Sequence, residues 1–287
     1  MKDGTAGEPL SPLRRSPAPR GAHADARALA ALDIAAHLAD PARKQAFVTP
    51  MFDVIAPRYD DFTRLFSFGM DARWKRDAIT AGLETLQHAS THGRRALILD
   101  AACGTGDLAI GLVRGAHRAG LAAQAVGVDA AGEMVRAARA RLHGPDADVA
   151  AHVNIAHGDM TAVALRDGAV DLVTAGYAVR NAPEPALAVA EFARLLRPGG
   201  VLITLDFYRP TFAPWRELFL GYLRVAGDLV GWTWHRSPVV YGYIARSIRH
   251  FVTARDFAML LESHSFRVRT VRRWLGGGVA MHIAERR

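Results

Sequence analysis

From residue 94 onward the chain alternates between two hydrophobic patterns. Short runs of nearly continuous apolar residues occur at "ALILD" (96–100), "AVGVD" (125–129), "VNIAH" (153–157), "VDLVTAGY" (170–177) and "VLITLDF" (201–207). Such runs, bounded by turn residues, predict buried strands. Between them, "LAIGLVRGAHRAG", "EMVRAARARL" and "PALAVAEFARLL" carry apolar residues every three or four positions, which predicts helices with one apolar stripe. The turn "RPGG" leads into the fifth strand. A closing helix, "TARDFAMLLESHSF", precedes two further strands, "RVRTVRRW" and "GGVAMHIAE". Strands alternating with helices in this way predict an α/β fold, with a mostly parallel seven-stranded sheet and helices on both faces.

Two regions fall outside this rhythm. Residues 46–93 read as interrupted helices ahead of the first strand, an N-terminal helical cap. Residues 208–252 separate the fifth strand from the closing helix, a helical insertion after strand five that would serve as a lid. Within it Trp215, Leu218, Phe219, Tyr222, Leu223, Ala226, Leu229 and Val230 follow helical spacing, while Arg224 and Asp228 interrupt it as a membrane span. The expected organisation is a flexible Pro/Ala/Arg-rich tail running into a helix over 1–45, then a single domain over 46–287.

The 287 residues leave room for a sizeable core, and half of them are apolar. The only cysteine is Cys103, so no internal disulfide forms and a cytoplasmic location is expected. The first forty residues lack a continuous apolar core and are broken by acidic residues, unlike a signal or transit peptide. The net charge of +8 lies wholly in 207–287, which holds thirteen arginines and five acidic residues. That excess suits an anionic membrane surface, nucleic acid or simply a solvated face, and charge alone does not choose among them.

The stretch "LDAACGTGD" (99–107) follows the first strand, where open α/β sheets bind ligands. Gly104 and Gly106 allow close approach of the backbone, and the next helix offers free N–H groups. The spacing is not the dinucleotide G-x-G-x-x-G. Asp129, ending the second strand, is placed to accept from both ribose hydroxyls of a nucleoside, and Asp100 suits an ammonium. "GDM" (158–160) places Asp159 and Met160 beside an adenine edge. This set resembles class I methyltransferases that use S-adenosylmethionine. Thr105, Ala130, Met134 and Gly176 complete the expected cofactor set. Cys103 reads as a small apolar filler rather than a nucleophile.

"PRYDDFTRLFSFGMDARWKRDAI", "AGYAVRN" (175–181), "LLRPGGVLITLDF", "YGYIARSIRHF" and "GGGVAMHIAER" together resemble the ubiquinone/menaquinone biosynthesis C-methyltransferases, from about Phe47 to Arg287. The resemblance implies the Rossmann-like class I methyltransferase fold and methylation of a ring carbon on a prenylated quinol. Carbon methylation needs an electron-rich carbon, which a phenolate provides, so a base or a cation beside the ring hydroxyl is required. Arg180 matches the family's arginine and would stabilise the phenolate or polarise a water; the alternative is an ion pair holding the loop. Asn181 and Tyr59 would orient the ring or the water, and Asp60 is a candidate base. His250 and His282 are further candidate bases, though a lone histidine is more often structural. No histidine, cysteine or carboxylate cluster has metal-ligand spacing, so no metal is expected.

The departures from the family pattern lie on the acceptor side. The Asn of Y-D-x-M-N is Thr63, the histidine before the tryptophan is Asp71, E-x-S reads Asp206-Phe207-Tyr208, and a frequent serine after strand four is Gly176. The expected partner is a hydrophobic aromatic small molecule, with peripheral membrane contact through the basic C-terminal segment and a possible homodimer. The alternative is a methyltransferase tailoring a soluble aromatic or polyketide product. A nucleic-acid substrate is not expected, because "AGYAVRN" replaces the D/N-P-P-Y/F loop that clamps a flipped base. A catalytically silent scaffold is disfavoured by the intact Asp100, Gly104, Gly106 and Asp129.

Overall fold

The computed structural model describes residues 41–89, 94–235 and 239–287; the expected tail over 1–40 lies outside them. Helices α1 (Pro41–Ile55), α2 (Tyr59–Phe66) and α3 (Asp71–Ala89) precede the sheet, with one 3-10 turn between α1 and α2. The alternating part follows as β1 (Ala96–Ala101), α4 (Asp107–Arg118), β2 (Ala123–Asp129), α5 (Gly132–Leu142), β3 (Val153–His157), β4 (Val170–Gly176), α6 (Pro185–Leu195) and β5 (Leu196–Phe207). Then come α7 (Ala213–His235), α8 (Val239–His250), α9 (Ala254–Ser263), β6 (Phe266–Trp274) and β7 (Val279–Arg286).

The seven strands form one sheet in the order β3-β2-β1-β4-β5-β7-β6. β1 to β5 pair in parallel, and β7 runs antiparallel to both neighbours. Side chains alternate across the sheet as a period of two requires. Ile98, Leu172, Ile203 and Leu205 face the core built with α1, α3, α4, α5, α7 and α8. Leu99, Val173 and Leu202 face the opposite core under α6 and α9. Both faces are covered, which is why these strands read as continuous apolar runs.

The strand order reverses at β1 and β4, and the crevice beyond their carboxyl ends is where an open α/β sheet takes its ligand. β5 begins at Leu196, so the expected turn "RPGG" is taken into its first residues. There the β4–β5 register shifts between Val170 and Leu172, and Gly199 adopts a φ of 75°. The insertion contains two helices, α7 and α8, packed on each other. Periodicity alone outlined only the first.

Candidate active site

The turn after β1 is built from left-handed residues: Ala102 (φ 51°), Gly104 (54°) and Gly106 (87°). The two glycines do different work. Gly104 borders the cleft at the sheet's carboxyl end and donates its N–H to Asp129 Oδ2 at 2.7 Å. Gly106 is the N-cap of α4, folded back on Ile110, and borders none of the described chambers.

Asp129 accepts from the backbone of Gly104 on one oxygen and of Ala131, at 2.9 Å, on the other. Each oxygen keeps a lone pair for a hydroxyl donor. Burial holds the pKa of Asp129 above the usual carboxylate range, although these N–H groups work against it. Asp100 is buried, accepting from Ala109 N at 3.0 Å and Thr174 Oγ1 at 2.8 Å. Burial pushes its pKa up to about 7.

Three adjoining chambers lie at this edge. The first, of about 600 Å³, is bordered by Gly104, Asp129, Ala130, Met134, Asp159, Met160 and Gly176. Asp159 is held there by Thr161, whose N–H and hydroxyl both donate to Oδ1 at 2.8 Å. The second, about 550 Å³, is walled by Met51, Phe52, Ile55, Phe66, Phe207 and Ile244, and among its described lining residues only Arg180 is charged. The third, about 380 Å³, brings Asp100 and Thr105 together with Lys75 and Asp107. Tyr59 and Tyr177 border all three. Burial raises the Tyr59 phenol to about 12.

Arg180 and Asn181 sit in a buried 3-10 turn after β4. The Arg180 Nη1 donates to Ser247 Oγ on α8 at 2.5 Å, its backbone N–H donates to Asp206 Oδ2, and its Nε is buried without a hydrogen-bond partner. Asn181 Nδ2 donates to the Tyr177 carbonyl at 2.8 Å, while its amide oxygen accepts from Tyr243 at 3.1 Å. Lys44 Nζ, from α1, donates to the Ala182 carbonyl at 2.5 Å. Burial and then Arg180 lower the pKa of Lys44 to about 8. The turn is thus gripped from one side by α1 and from the other by α8.

Residues 40–286 match the ubiE/COQ5 methyltransferase family. The chain belongs to it. It is 32% identical to a demethylmenaquinone methyltransferase of Renibacterium salmoninarum, covering 83% of this chain and 91% of that one. It is 33% identical to the ubiquinone/menaquinone biosynthesis C-methyltransferase of Syntrophotalea carbinolica, covering 81% and 91%. A demethylmenaquinone methyltransferase of Thermus thermophilus is 32% identical over 82% of this chain and all of its own. Among solved structures, the YcgJ protein of Bacillus subtilis superposes with a TM-score of 0.53 at 16% identity, over 74% of this chain and 99% of that one. That likeness establishes the fold. The chain is an S-adenosylmethionine-dependent methyltransferase with the class I, Rossmann-like architecture.

In this ubiE/COQ5 methyltransferase the departures Asp71, Thr63 and Tyr208 each have a partner, and Gly176 has a steric reason. Asp71 accepts from Tyr177 and pairs with Lys75. Thr63 spends its hydroxyl on the Tyr59 carbonyl at 2.7 Å. Tyr208 packs with Phe251, Phe257 and His282. At Gly176 a Cβ would come within 2.9 Å of Leu108.

His282 lies in that aromatic cluster, bonded to the Ala254 carbonyl through Nε2, and borders none of the three chambers. His250 is exposed on α8. Cys103 is buried, its thiol pushed up by burial, and its Sγ fills the space beside Gly127. The Asp60 side chain lies outside the described residues. Among the described residues, no group of three or more His, Cys, Asp or Glu is placed to hold a metal ion.

Sequence reasoning missed Lys44, Lys75, Tyr177, Tyr243 and Ser247. Lys75, Tyr177, Tyr243 and Ser247 stand inside the quoted family stretches, which was their only signal. Lys44 has one clue, a charge just before the apolar "AFV" of a helix.

Proposed function

We propose that this methyltransferase transfers a methyl group to a ring carbon of a demethyl-quinol carrying an apolar tail. The observation that carries the reading is the second chamber, apolar on nearly every wall, with the Arg180 guanidinium as its charged group among the described residues. It adjoins the first chamber across Tyr59 and Tyr177.

The first chamber fits S-adenosylmethionine by its donor set. Asp129 keeps one lone pair per oxygen for the ribose hydroxyls. Asp159 faces the adenine amine and Met134 and Met160 its faces, while Asp100, in the adjoining third chamber, meets the ammonium. When bound, the cofactor supplies an electrophilic methyl on a sulfonium leaving group. The protein's own task is alignment and activation of the acceptor. Arg180 stabilises the ring oxygen as it becomes a phenolate, through the guanidinium it presents at the wall of this second chamber. Charge then flows to the ortho carbon, which attacks. Asn181 and Tyr59 orient the ring or the water that takes its proton, and Asp60 is a second candidate base.

The segments 46–93 and 208–252 serve in this reading as cap and lid, since α1, α2 and α8 supply most of the acceptor chamber's walls. Exposed Phe68, Leu218, Val225 and Leu229, with the arginine-rich C-terminal segment, support contact with an anionic membrane surface that would deliver a water-insoluble acceptor. No described helix is long and apolar enough to cross a membrane.

The test is turnover of purified enzyme with S-adenosylmethionine and demethyl-naphthoquinols or demethyl-benzoquinols of short and long prenyl length. Mass spectrometry should locate the new methyl on a ring carbon. A second reading, a soluble aromatic acceptor, is favoured by Thr63, whose hydroxyl is spent on its own helix where the family offers an amide. Turnover of such a compound with none of any quinol would decide for it.

A further inference from the structure

Tyr177 is held more tightly than a wall residue requires. Its φ of 57° lies in the left-handed region, where a bulky residue is an outlier that its surroundings must enforce. Four ties enforce it. Its N–H donates to the Leu205 carbonyl at 2.6 Å, and its carbonyl accepts from Asn181. Its ring packs on Phe207 with centroids 5.4 Å apart. Its phenol donates to Asp71 Oδ1 at 2.7 Å, a buried bond between residues 106 positions apart.

Asp71 reaches in a second direction. Its Oδ2 lies 2.9 Å from Lys75 Nζ, which lies 2.8 Å from Asp107, the first residue of α4. Asp71 is itself fixed, its N–H donating to Ser67 Oγ at 3.1 Å. It borders none of the three chambers, so it acts only through the groups it holds.

We propose that Asp71 is a positioning residue for methyl transfer, fixing the Tyr177 ring as the partition between the cofactor and acceptor chambers. Resting on the assignment of those chambers, it adds a carboxylate–phenol tie where the family pattern has a histidine. Inward movement of the ring would narrow the acceptor chamber, and outward movement would open a path for water between the two. Loss of the tie therefore degrades alignment at the reacting centre more than it degrades folding.

The test is a double-mutant cycle of Tyr177→Phe and Asp71→Ala, with Asp71→Asn as the conservative variant. Three quantities are read: S-adenosylhomocysteine affinity by calorimetry, kcat and KM for a demethyl-quinol, and melting temperature. Y177F and D71A should each weaken the affinity and lower kcat by about tenfold, and the double variant should be no worse than either. D71N, whose amide oxygen still accepts from the phenol, should stay within about threefold of wild type.

Losses that multiply to about a hundredfold in the double variant overturn the proposal. So do losses confined to melting temperature, or a D71N variant as impaired as D71A, which would assign the effect to the charge on Lys75. If D71A does not fold, Y177F is read alone: loss of affinity and kcat at an unchanged melting temperature supports the tie, and loss confined to melting temperature overturns it. Failure of the wild type to methylate any quinol, with S-adenosylhomocysteine still bound, removes the acceptor assignment. The calorimetric cycle then decides the tie on its own.

Discussion

Arg180 and Asp206 are joined twice. The Arg180 backbone N–H donates to Asp206 Oδ2 at 3.0 Å, and its Nε lies 3.4 Å from Oδ1. Both side chains are buried. Burial raises the pKa of Asp206, with Arg180 pulling the other way. The pair fixes the guanidinium at the wall of the second chamber, so under the proposed function one group both holds the loop and faces the acceptor.

Arg180→Lys keeps the charge but loses the planar fork that spans Asp206 and Ser247. The variant should fold and bind S-adenosylhomocysteine, with kcat down by about a hundredfold or more, on the order of 3 kcal/mol of transition-state stabilisation. Arg180→Ala should in addition destabilise the fold by about 3–5 kcal/mol in urea unfolding, because it strands a buried carboxylate. Wild-type turnover by the lysine variant would remove Arg180 from the chemistry.

Asp129→Asn tests the cofactor chamber. An amide has one accepting oxygen for two backbone N–H groups and two ribose hydroxyls, so at least one donor of Gly104 or Ala131 loses its partner. S-adenosylmethionine affinity should fall about 10- to 100-fold by calorimetry. The acceptor chamber, which Asp129 does not border, should be little changed, so acceptor KM at saturating cofactor should hold. Unaltered cofactor affinity would argue against the ribose role.

What was legible in the sequence was what is local. β3 is found where its short run predicts, although it is an edge strand with Asn154 and His157 exposed. β1, β2 and β4 differ from theirs by one or two residues, because these are largely apolar runs in the interior of the sheet. Gly104 could be read for the same reason: a glycine between a strand and a helix has few other uses. Lys44 could not. Its partner, the Ala182 carbonyl, is 138 residues away, and a lone lysine on a helix gives no periodic signal. The Asp71–Tyr177 bond is hidden likewise, since it depends on how α3 docks against the end of β4. The extra residues of β5 were masked by "RPGG", a turn sequence that the sheet overrides through a register shift.

The buried Asp100 predicts a proton-linked cofactor affinity. Its pKa of about 7 lies above the 3.8 of a free aspartate. In the folded enzyme it therefore keeps a proton between about pH 4 and 7 that the unfolded chain has lost, and stability from this group falls as pH rises through that window. An ammonium placed against Asp100 favours its ionised form. Binding of S-adenosylmethionine at pH 6 should then release a proton, and the release should fade above about pH 8. Calorimetry at pH 6 in buffers of different ionisation enthalpy measures it, and Asp100→Asn should abolish it. Binding with no proton release at pH 6 would put the ammonium elsewhere.

His282 sets an acid limit on the fold. Its Nε2 faces the Ala254 carbonyl at 2.8 Å, and a carbonyl can only accept, so Nε2 carries the proton. Nδ1 is then left to accept from the Tyr208 hydroxyl at 3.3 Å. Both neighbours suit the neutral ring. Burial lowers its pKa from 6.5 to about 4, with the Ala254 bond working the other way. Between those values the unfolded chain binds a proton that the folded chain refuses, so stability is full above about pH 6.5 and is lost as pH falls toward 4. The loss amounts to on the order of 3 kcal/mol. Asp100 titrates in the opposite sense over the same window, so the contribution is read as a difference. In urea unfolding from pH 7 to pH 4, His282→Gln should lose less stability than wild type, while starting less stable at pH 7 because the aromatic cluster loses a ring. An unchanged slope in the variant would place the acid sensitivity in other groups.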